Sequence, residues 1–163
     1  MVGHSYGGST AALVAARAPA AALVFVAGMV PATGERPADW WSATGHAVAV
    51  AARALADGGL TGSDDPFVTY YHDVPRALAE EALGRARGES PAAYGAPWPL
   101  AALPAVPTSS VLCAEDRSFP AAFVRRLAAE RLGVLAEATP GGHCAMLSRP
   151  RELAGLLHRC AGA

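Results

Sequence analysis

The sequence predicts an α/β fold, in which parallel strands alternate with helices and a helical insertion interrupts the alternation. Three observations support this prediction. Short, continuously apolar segments such as Ala22–Ala27 (ALVFVA) are typical of strands buried on both faces of a parallel sheet. Longer segments with helical spacing of apolar residues separate them. A G-x-S-x-G sequence near the N-terminus is typical of a sharp turn from a strand into a helix.

Three segments predict the first part of the sheet. Met1–His4 reads as the end of a strand, and Ser9–Ala18 is an Ala-rich helix that Pro19 ends. Ala22–Ala27 is the next strand, closed by Gly28. Together they indicate a strand, a helix and a second strand within the first 30 residues.

Residues 31–107 have a different character and predict a helical cap. Most of the aromatic residues lie here, and apolar spacing is helical over His46–Ala56 and Pro75–Arg87. The segment ends in the Pro-rich sequence APWPLAALPAVP. We therefore expect residues 1–30 and 108–163 to form the core portion, with residues 31–107 inserted between them.

The last third returns to strand and helix alternation. Thr108–Ala114 predicts a strand, and Pro120–Leu132 predicts a helix with Pro in its first turn and Gly immediately after it. Val134–Ala138 is a weaker strand. Ser148–Cys160 predicts a final helix with Ser148 as its N-cap.

Composition excludes several classes of function. The chain has 163 residues and a formal net charge of −1, and all 13 basic residues are Arg. This balance offers no broad positive field, so we expect no nucleic-acid partner. The longest apolar stretch, Ala18–Val30, is too short for a membrane span, which needs roughly 20 apolar residues. We expect no membrane association.

The three cysteines neither form a disulfide framework nor show metal-ligand spacing, which favours a reducing compartment. No signal peptide is recognisable in the sequence. The expected location is cytoplasmic, and no metal or other cofactor is implied.

The segment Gly3–Gly7 (GHSYG) is the sharpest chemical signal. A nucleophilic Ser5 would stand on the turn at a helix N-terminus, and the Tyr6 N–H could stabilise a developing oxyanion. The same letters also suit an ordinary Gly-rich turn. A phosphate-binding loop over Gly3–Thr10 is disfavoured because Ser9 stands where that motif requires Lys.

Two later polar sites follow predicted strands. Glu115 and Asp116 end the strand at Thr108–Ala114, and His143 lies in the Gly-rich loop PGGH after the weaker strand. A carboxylate at a strand end can orient a catalytic imidazole. Asp116 could instead be a turn acid or a helix cap, and His143 a surface loop histidine. Catalytic triads of Ser, His and Asp occur in several orders along the chain, and the order Ser5, Asp116, His143 nevertheless matches one of them.

These segments resemble the α/β-hydrolase fold family, with VGHSYGG similar to its nucleophile elbow, SSVLCAED to its acid strand, and PGGHCAMLSRPRELAGLL to its histidine loop and final helix. The likeness is greatest to small esterases related to plant methylesterases and hydroxynitrile lyases. It implies hydrolysis of a small-molecule ester through Ser5, His143 and Asp116, with Asp116 favoured over Glu115. Hydroxynitrile lyases of this group use a Lys in the cap, so the absence of Lys favours hydrolysis.

The resemblance also implies a partial fold. In the family the nucleophile follows the fifth strand, and this chain begins at the end of that strand. The loop that supplies the second oxyanion donor has no counterpart, and losing one donor typically costs about 10²–10³ in rate. We therefore expect a fragment or a misplaced start, with an open sheet edge favouring self-association. The alternative function is an inactive fragment that only associates through this edge.

Further residues are candidates either for contact with substrate or for packing. His4 and Trp98 are candidate substrate contacts. Five further aromatic residues of the cap suit either a pocket or internal packing; they are Trp40, Trp41, Phe67, Tyr70 and Tyr71. His72–Asp73 suits a second catalytic pair or, preferably, a helix entry before Pro75. Cys113 and Cys144 read as small core residues. His46 and His158 read as helix-surface or core residues.

Overall fold

The predicted α/β architecture is confirmed in the computed structural model, which describes residues 1–88 and 90–162. Four parallel strands form one sheet in the order β1 (Val2–His4), β2 (Leu23–Val26), β3 (Thr108–Cys113) and β4 (Glu137–Thr139). Helices flank the sheet, and the whole β2 segment LVFV is buried. That burial explains why a continuously apolar sequence predicted this strand.

The register of the strands brings their carboxyl ends to one edge. His4 pairs with Val26, Val26 pairs with Val111, and Cys113 pairs with Thr139. Because all pairs are parallel, the loops that leave β1, β3 and β4 emerge on the same side of the sheet. This edge is where an α/β sheet usually binds its ligand.

Four helices accompany the strands in the core portion: α1 (Gly7–Ala15), α7 (Ala121–Leu132), α8 (Ala145–Ser148) and α9 (Pro150–Cys160). Gly133, with a φ of 67°, ends α7 as the sequence predicts. The predicted N-cap is wrong, because Ser148 closes the short helix α8 and Arg149 precedes α9. The predicted strand Val134–Ala138 is also shifted: β4 starts at Glu137.

The described part of the segment 31–107 contains helices and no strand. They are α2 (Pro37–Ala43), α3 (His46–Asp57), α4 (Pro66–Thr69), α5 (Arg76–Gly84) and α6 (Pro91–Gly95). Trp40 and Trp98 join the same apolar cluster as the buried strands, so the segment packs directly on the core portion. Its separation as a cap stays a prediction.

Within residues 1–88 and 90–162, no helix combines the length and apolar character needed to cross a bilayer.

Candidate active site

Ser5 lies on the sharp turn between β1 and α1, in a backbone conformation that is rare for a residue with a side chain. Its φ is 50°. Three backbone hydrogen bonds hold it there: its N–H donates to Val26 O, and its carbonyl accepts from the N–H groups of Met29 and Gly8. A Cβ on Gly3 would lie 2.6 Å from the Cα of Gly8, so glycine is required where strand and helix cross. Such local strain is typical of functional sites.

Asp116 follows β3 and is 5% exposed. One carboxylate oxygen, Oδ1, accepts from the N–H groups of Ser118 and Phe119 at 2.7 and 2.8 Å. The other, Oδ2, accepts from Nδ1 of His143 at 2.8 Å. One carboxylate oxygen therefore orders the turn and the other contacts the imidazole, and the catalytic role of Asp116 stays a prediction.

His143 is also buried, with 4% of its surface exposed, so it is not a surface loop histidine. The loop that carries His143 (the histidine loop) is bonded to the loop after β3 that carries Glu115 and Asp116 (the acid loop). The N–H of Glu115 donates to the carbonyl of Gly141 at 3.0 Å. Because its Nδ1 donates to Asp116, the neutral imidazole keeps the lone pair on Nε2. That is the tautomer a general base requires.

His4 lies beside His143, with 4.7 Å between the ring centroids. Its Nε2 is 2.9 Å from the carbonyl oxygen of His143. A carbonyl can only accept, so Nε2 of His4 donates. Burial, together with the proximity of His143, lowers the pKa of His4 to about 4. His4 is therefore neutral at pH 7 and anchors the backbone of the histidine loop.

Ser5, His4 and His143 open into one cavity of about 610 Å³. Aromatic side chains supply much of the remaining wall, and in the described part of the chain no Asp, Glu or Arg lines it; the aromatic residues are Tyr6, Trp41, Tyr70, Tyr71 and Tyr94. The indole N–H of Trp41 donates to the hydroxyl of Tyr94. This wall suits an uncharged, largely apolar ligand.

Trp98, a candidate substrate contact, lies elsewhere. It is buried and lines a separate cavity of about 350 Å³, together with Tyr6 and residues of α1. Trp40 is almost fully buried, and its indole donates to Val30 O, so it packs internally. The aromatic residues of the cap thus divide between the wall of the Ser5 cavity and packing, which their spacing in sequence does not reveal.

The cysteines near the site are thiols at neutral pH. Burial raises the pKa of Cys144, which lines the Ser5 cavity, to about 11, and that of Cys113 in β3 to about 12. A thiol that stays protonated is a poor nucleophile. Nε2 of His46 donates to Ser118 O at 2.8 Å, and His158 is exposed on α9.

Sequence reasoning missed a contact made by His72 and Asp73. They lie in the turn just before Pro75 and α5, as predicted, but no side chain caps that helix. Nε2 of His72 donates to Glu115 O at 3.0 Å, and Oδ2 of Asp73 accepts from the Gly142 N–H at 2.8 Å. No local pattern could have revealed these partners, since each lies more than 40 residues away along the chain.

Comparisons with known proteins agree with this geometry. Residues 1–156 match the sequence profile described as the alpha/beta hydrolase family. No curated protein sequence matches significantly.

Among solved structures, polyneuridine aldehyde esterase is similar, with a TM-score of 0.70, 18% identity, and coverage of 97% of this chain and 69% of that one. An extracellular alpha/beta-hydrolase from a Paenibacillus species has a TM-score of 0.69 and 21% identity, and the match covers 98% of this chain and 70% of that one. A pyrethroid hydrolase from Sphingobium faniae JZ-2 has a TM-score of 0.61 and 19% identity, and the match covers 99% of this chain and 70% of that one. At these identities the likeness establishes a common fold.

Proposed function

The chain belongs to the alpha/beta hydrolase family, and on this premise we propose that it hydrolyses small, uncharged carboxylic esters. Ser5 is the nucleophile and His143 the general base in this proposal. Asp116 orients the imidazole, and the Tyr6 N–H is an oxyanion donor. The observation that carries the proposal is the buried 2.8 Å hydrogen bond between Asp116 and His143, beside the cavity that Ser5 lines.

The proposed reaction has two halves. Ser5 Oγ attacks the ester carbonyl carbon while Nε2 of His143 takes its proton. Asp116 stabilises the imidazolium that forms, and the Tyr6 N–H stabilises the negative oxygen. The tetrahedral intermediate expels the alkoxide, which receives the proton from His143. Water then attacks the acyl-enzyme, with His143 again as the base, and releases the carboxylic acid and Ser5.

The cavity wall supports the substrate class. An aromatic lining favours apolar acyl or alcohol groups, and a charged substrate would lose its hydration there without an opposite charge to replace it. The printed names of similar structures point the same way, since one is called an esterase and another a pyrethroid hydrolase. These names describe those proteins, and they support ester chemistry here by analogy.

Covalent labelling tests the nucleophile. The purified chain is treated with a fluorophosphonate and its intact mass is measured, with Ser5→Ala as the test variant. Ser42→Ala is the matched control, because Ser42 is an exposed serine on α2. We expect one adduct on the parent chain and on Ser42→Ala, and none on Ser5→Ala. An adduct that persists in Ser5→Ala, or no adduct on the parent chain, contradicts the proposal.

A pair of substrates tests the substrate class. p-Nitrophenyl butyrate and p-nitrophenyl hemisuccinate are similar in length, but only the second carries a carboxylate. We expect kcat/KM to be at least about 10-fold higher for the neutral ester, since burying an unpaired charge is costly. Equal or reversed values would refute the assignment of an uncharged substrate.

A further inference from the structure

His72 and Asp73 form a turn between α4 and α5. This turn is hydrogen-bonded to the loop that carries Asp116 and to the loop that carries His143. Nε2 of His72 donates to the carbonyl of Glu115 at 3.0 Å. Oδ2 of Asp73 accepts from the N–H of Gly142 at 2.8 Å. Glu115 immediately precedes the candidate acid, and Gly142 immediately precedes the candidate base. The turn therefore holds each loop one residue before its chemical group.

A third hydrogen bond closes a ring. The N–H of Glu115 donates to the carbonyl of Gly141 at 3.0 Å, which ties the acid loop to the histidine loop directly. The turn, the acid loop and the histidine loop are thus linked pairwise. We call His72 and Asp73 the loop clamp. A displacement of the clamp would strain its hydrogen bonds to both loops, and a displacement of either loop would strain the two hydrogen bonds that this loop makes.

The negative charge of Asp73 strengthens the hydrogen bond that its carboxylate accepts from the Gly142 N–H. Burial raises the pKa of Asp73, but the nearby Ser148 hydroxyl, the Gly142 N–H and the neighbouring His72 lower it by more, so the pKa lies below its usual value. Of these groups, the Gly142 N–H makes a hydrogen bond of normal geometry to the carboxylate, and the Ser148 hydroxyl does not. Asp73 is a carboxylate at neutral pH. A hydrogen bond from a backbone N–H to a carboxylate is roughly twice as strong as one between neutral groups.

The packing leaves no room for a side chain on the histidine loop at this point. A Cβ on Gly142 would lie 2.6 Å from Nε2 of His72 and 2.8 Å from Oδ1 of Asp73. The loop backbone can approach the clamp this closely only because Gly142 lacks a side chain. A side chain at position 142 would therefore have to displace the ends of both the His72 and the Asp73 side chains.

We propose that His72 and Asp73 are positioning residues, which hold the two loops so that Nδ1–H of His143 stays aligned on Asp116. Neither clamp residue lines the Ser5 cavity, so neither touches substrate. The catalytic consequence rests on the proposed hydrolase function. The geometric consequence does not, because the alignment of His143 on Asp116 can be measured in the resting protein.

The test uses three variants of the full chain. Asp73→Ala removes the acceptor, whereas Asp73→Asn keeps an oxygen that can accept from Gly142. Asp65→Ala is the matched control, since the Asp65 carboxylate accepts from the Phe67 N–H at 2.8 Å at the start of α4 and not from a backbone N–H of the histidine loop. The measurements are kcat and KM for p-nitrophenyl butyrate and the low-field proton resonance of Nδ1–H of His143. Circular dichroism gives the folded fraction, to which kcat is normalised.

For Asp73→Ala we expect kcat to fall by about 10²-fold with KM changed by less than about 2-fold, because misplacement of a catalytic group lowers the rate of the chemical step. The low-field resonance should shift or broaden. Asp73→Asn should recover most of kcat and restore the resonance. Asp65→Ala should keep both values close to those of the parent chain.

Unchanged kcat and resonance in Asp73→Ala would overturn the proposal. Equal losses in Asp73→Ala and Asp65→Ala would also overturn it, since they would reflect a general loss of structure in the segment. If the parent chain shows no turnover, the proposed function fails, and the resonance alone decides. Its perturbation in Asp73→Ala and recovery in Asp73→Asn then support the clamp, whereas an unchanged signal refutes it.

Discussion

Replacement of Asp116 by Asn has an outcome that the structure determines in detail. The two carboxylate oxygens have different partners. Oδ1 accepts from two backbone N–H groups, of Ser118 and Phe119, and Oδ2 accepts from Nδ1–H of His143. The amide of Asn has one oxygen and one NH₂ group. Because the backbone donors require an acceptor, the amide oxygen takes the Oδ1 position and its NH₂ group faces His143.

The imidazole must then change its tautomer. An NH₂ group donates, so Nδ1 of His143 has to accept and the proton moves to Nε2. A protonated Nε2 cannot take the proton from Ser5. The same wrong tautomer costs about 10⁴ in kcat in a serine protease triad, which corresponds to about 5.4 kcal/mol of transition-state stabilisation. We expect a loss of that order for Asp116→Asn.

Hydrolysis of p-nitrophenyl butyrate at pH 7 measures this loss, with Asp65→Asn as the matched control. Asp65 is an exposed acid that accepts from one backbone N–H at the start of α4, so its amide variant should keep kcat within about 2-fold. Circular dichroism checks that both variants fold. A loss below about 10-fold in folded Asp116→Asn would refute the assigned orientation of the amide, and with it the role of Asp116.

Three further predictions concern the loops, the pH dependence of stability and the ion pairs. Gly142→Ala should lower kcat by about 10-fold or more, because its Cβ would meet the loop clamp; Gly84→Ala, with open space around it, should not, and steady-state kinetics compares the two. The folded pKa of His4 is below the unfolded value, so its stabilising contribution is present above pH 6.5 and is lost as the pH falls to about 4. Urea unfolding at pH 7 and pH 4 should show a loss of stability that is smaller in His4→Gln than in the parent chain, by up to about 3 kcal/mol, and an equal loss in both would contradict this. Arg131 makes a bidentate ion pair with Glu35, whose side chain is 9% exposed, so Arg131→Ala should lower the free energy of unfolding by about 3–5 kcal/mol. Arg85→Ala, which breaks an exposed pair, should change it by less than about 1 kcal/mol, and similar effects of the two variants would refute the distinction.

Much of the fold was predictable because the relevant forces are local. The buried strand β2 is apolar at every position, and Gly133 ends α7 with a left-handed conformation. The helices at His46–Asp57 and Arg76–Gly84 follow the spacing of apolar residues, with ends that differ from the prediction by a few residues. The resemblance to α/β-hydrolases is confirmed by the family match over residues 1–156.

Other outcomes depended on neighbours that are distant in sequence. Trp98 stays a predicted substrate contact: the cavity that it lines shares Tyr6 with the Ser5 cavity but does not include Ser5, and local spacing does not encode this path of the chain. Ser148 has the right residue type for an N-cap, but a preceding short helix takes it instead.

The sequence alone determined the residue types of the candidate site and their order. A serine between glycines, an acid after a strand and a histidine in a glycine-rich loop are each local features, and parallel strands place all three at one edge of the sheet. Tertiary structure decided their environment. The pairing of Asp116 with His143, the neutral state of His4 and the clamp formed by His72 and Asp73 depend on contacts between distant segments. Such contacts arise from packing in three dimensions, on which the local pattern of a sequence places few constraints.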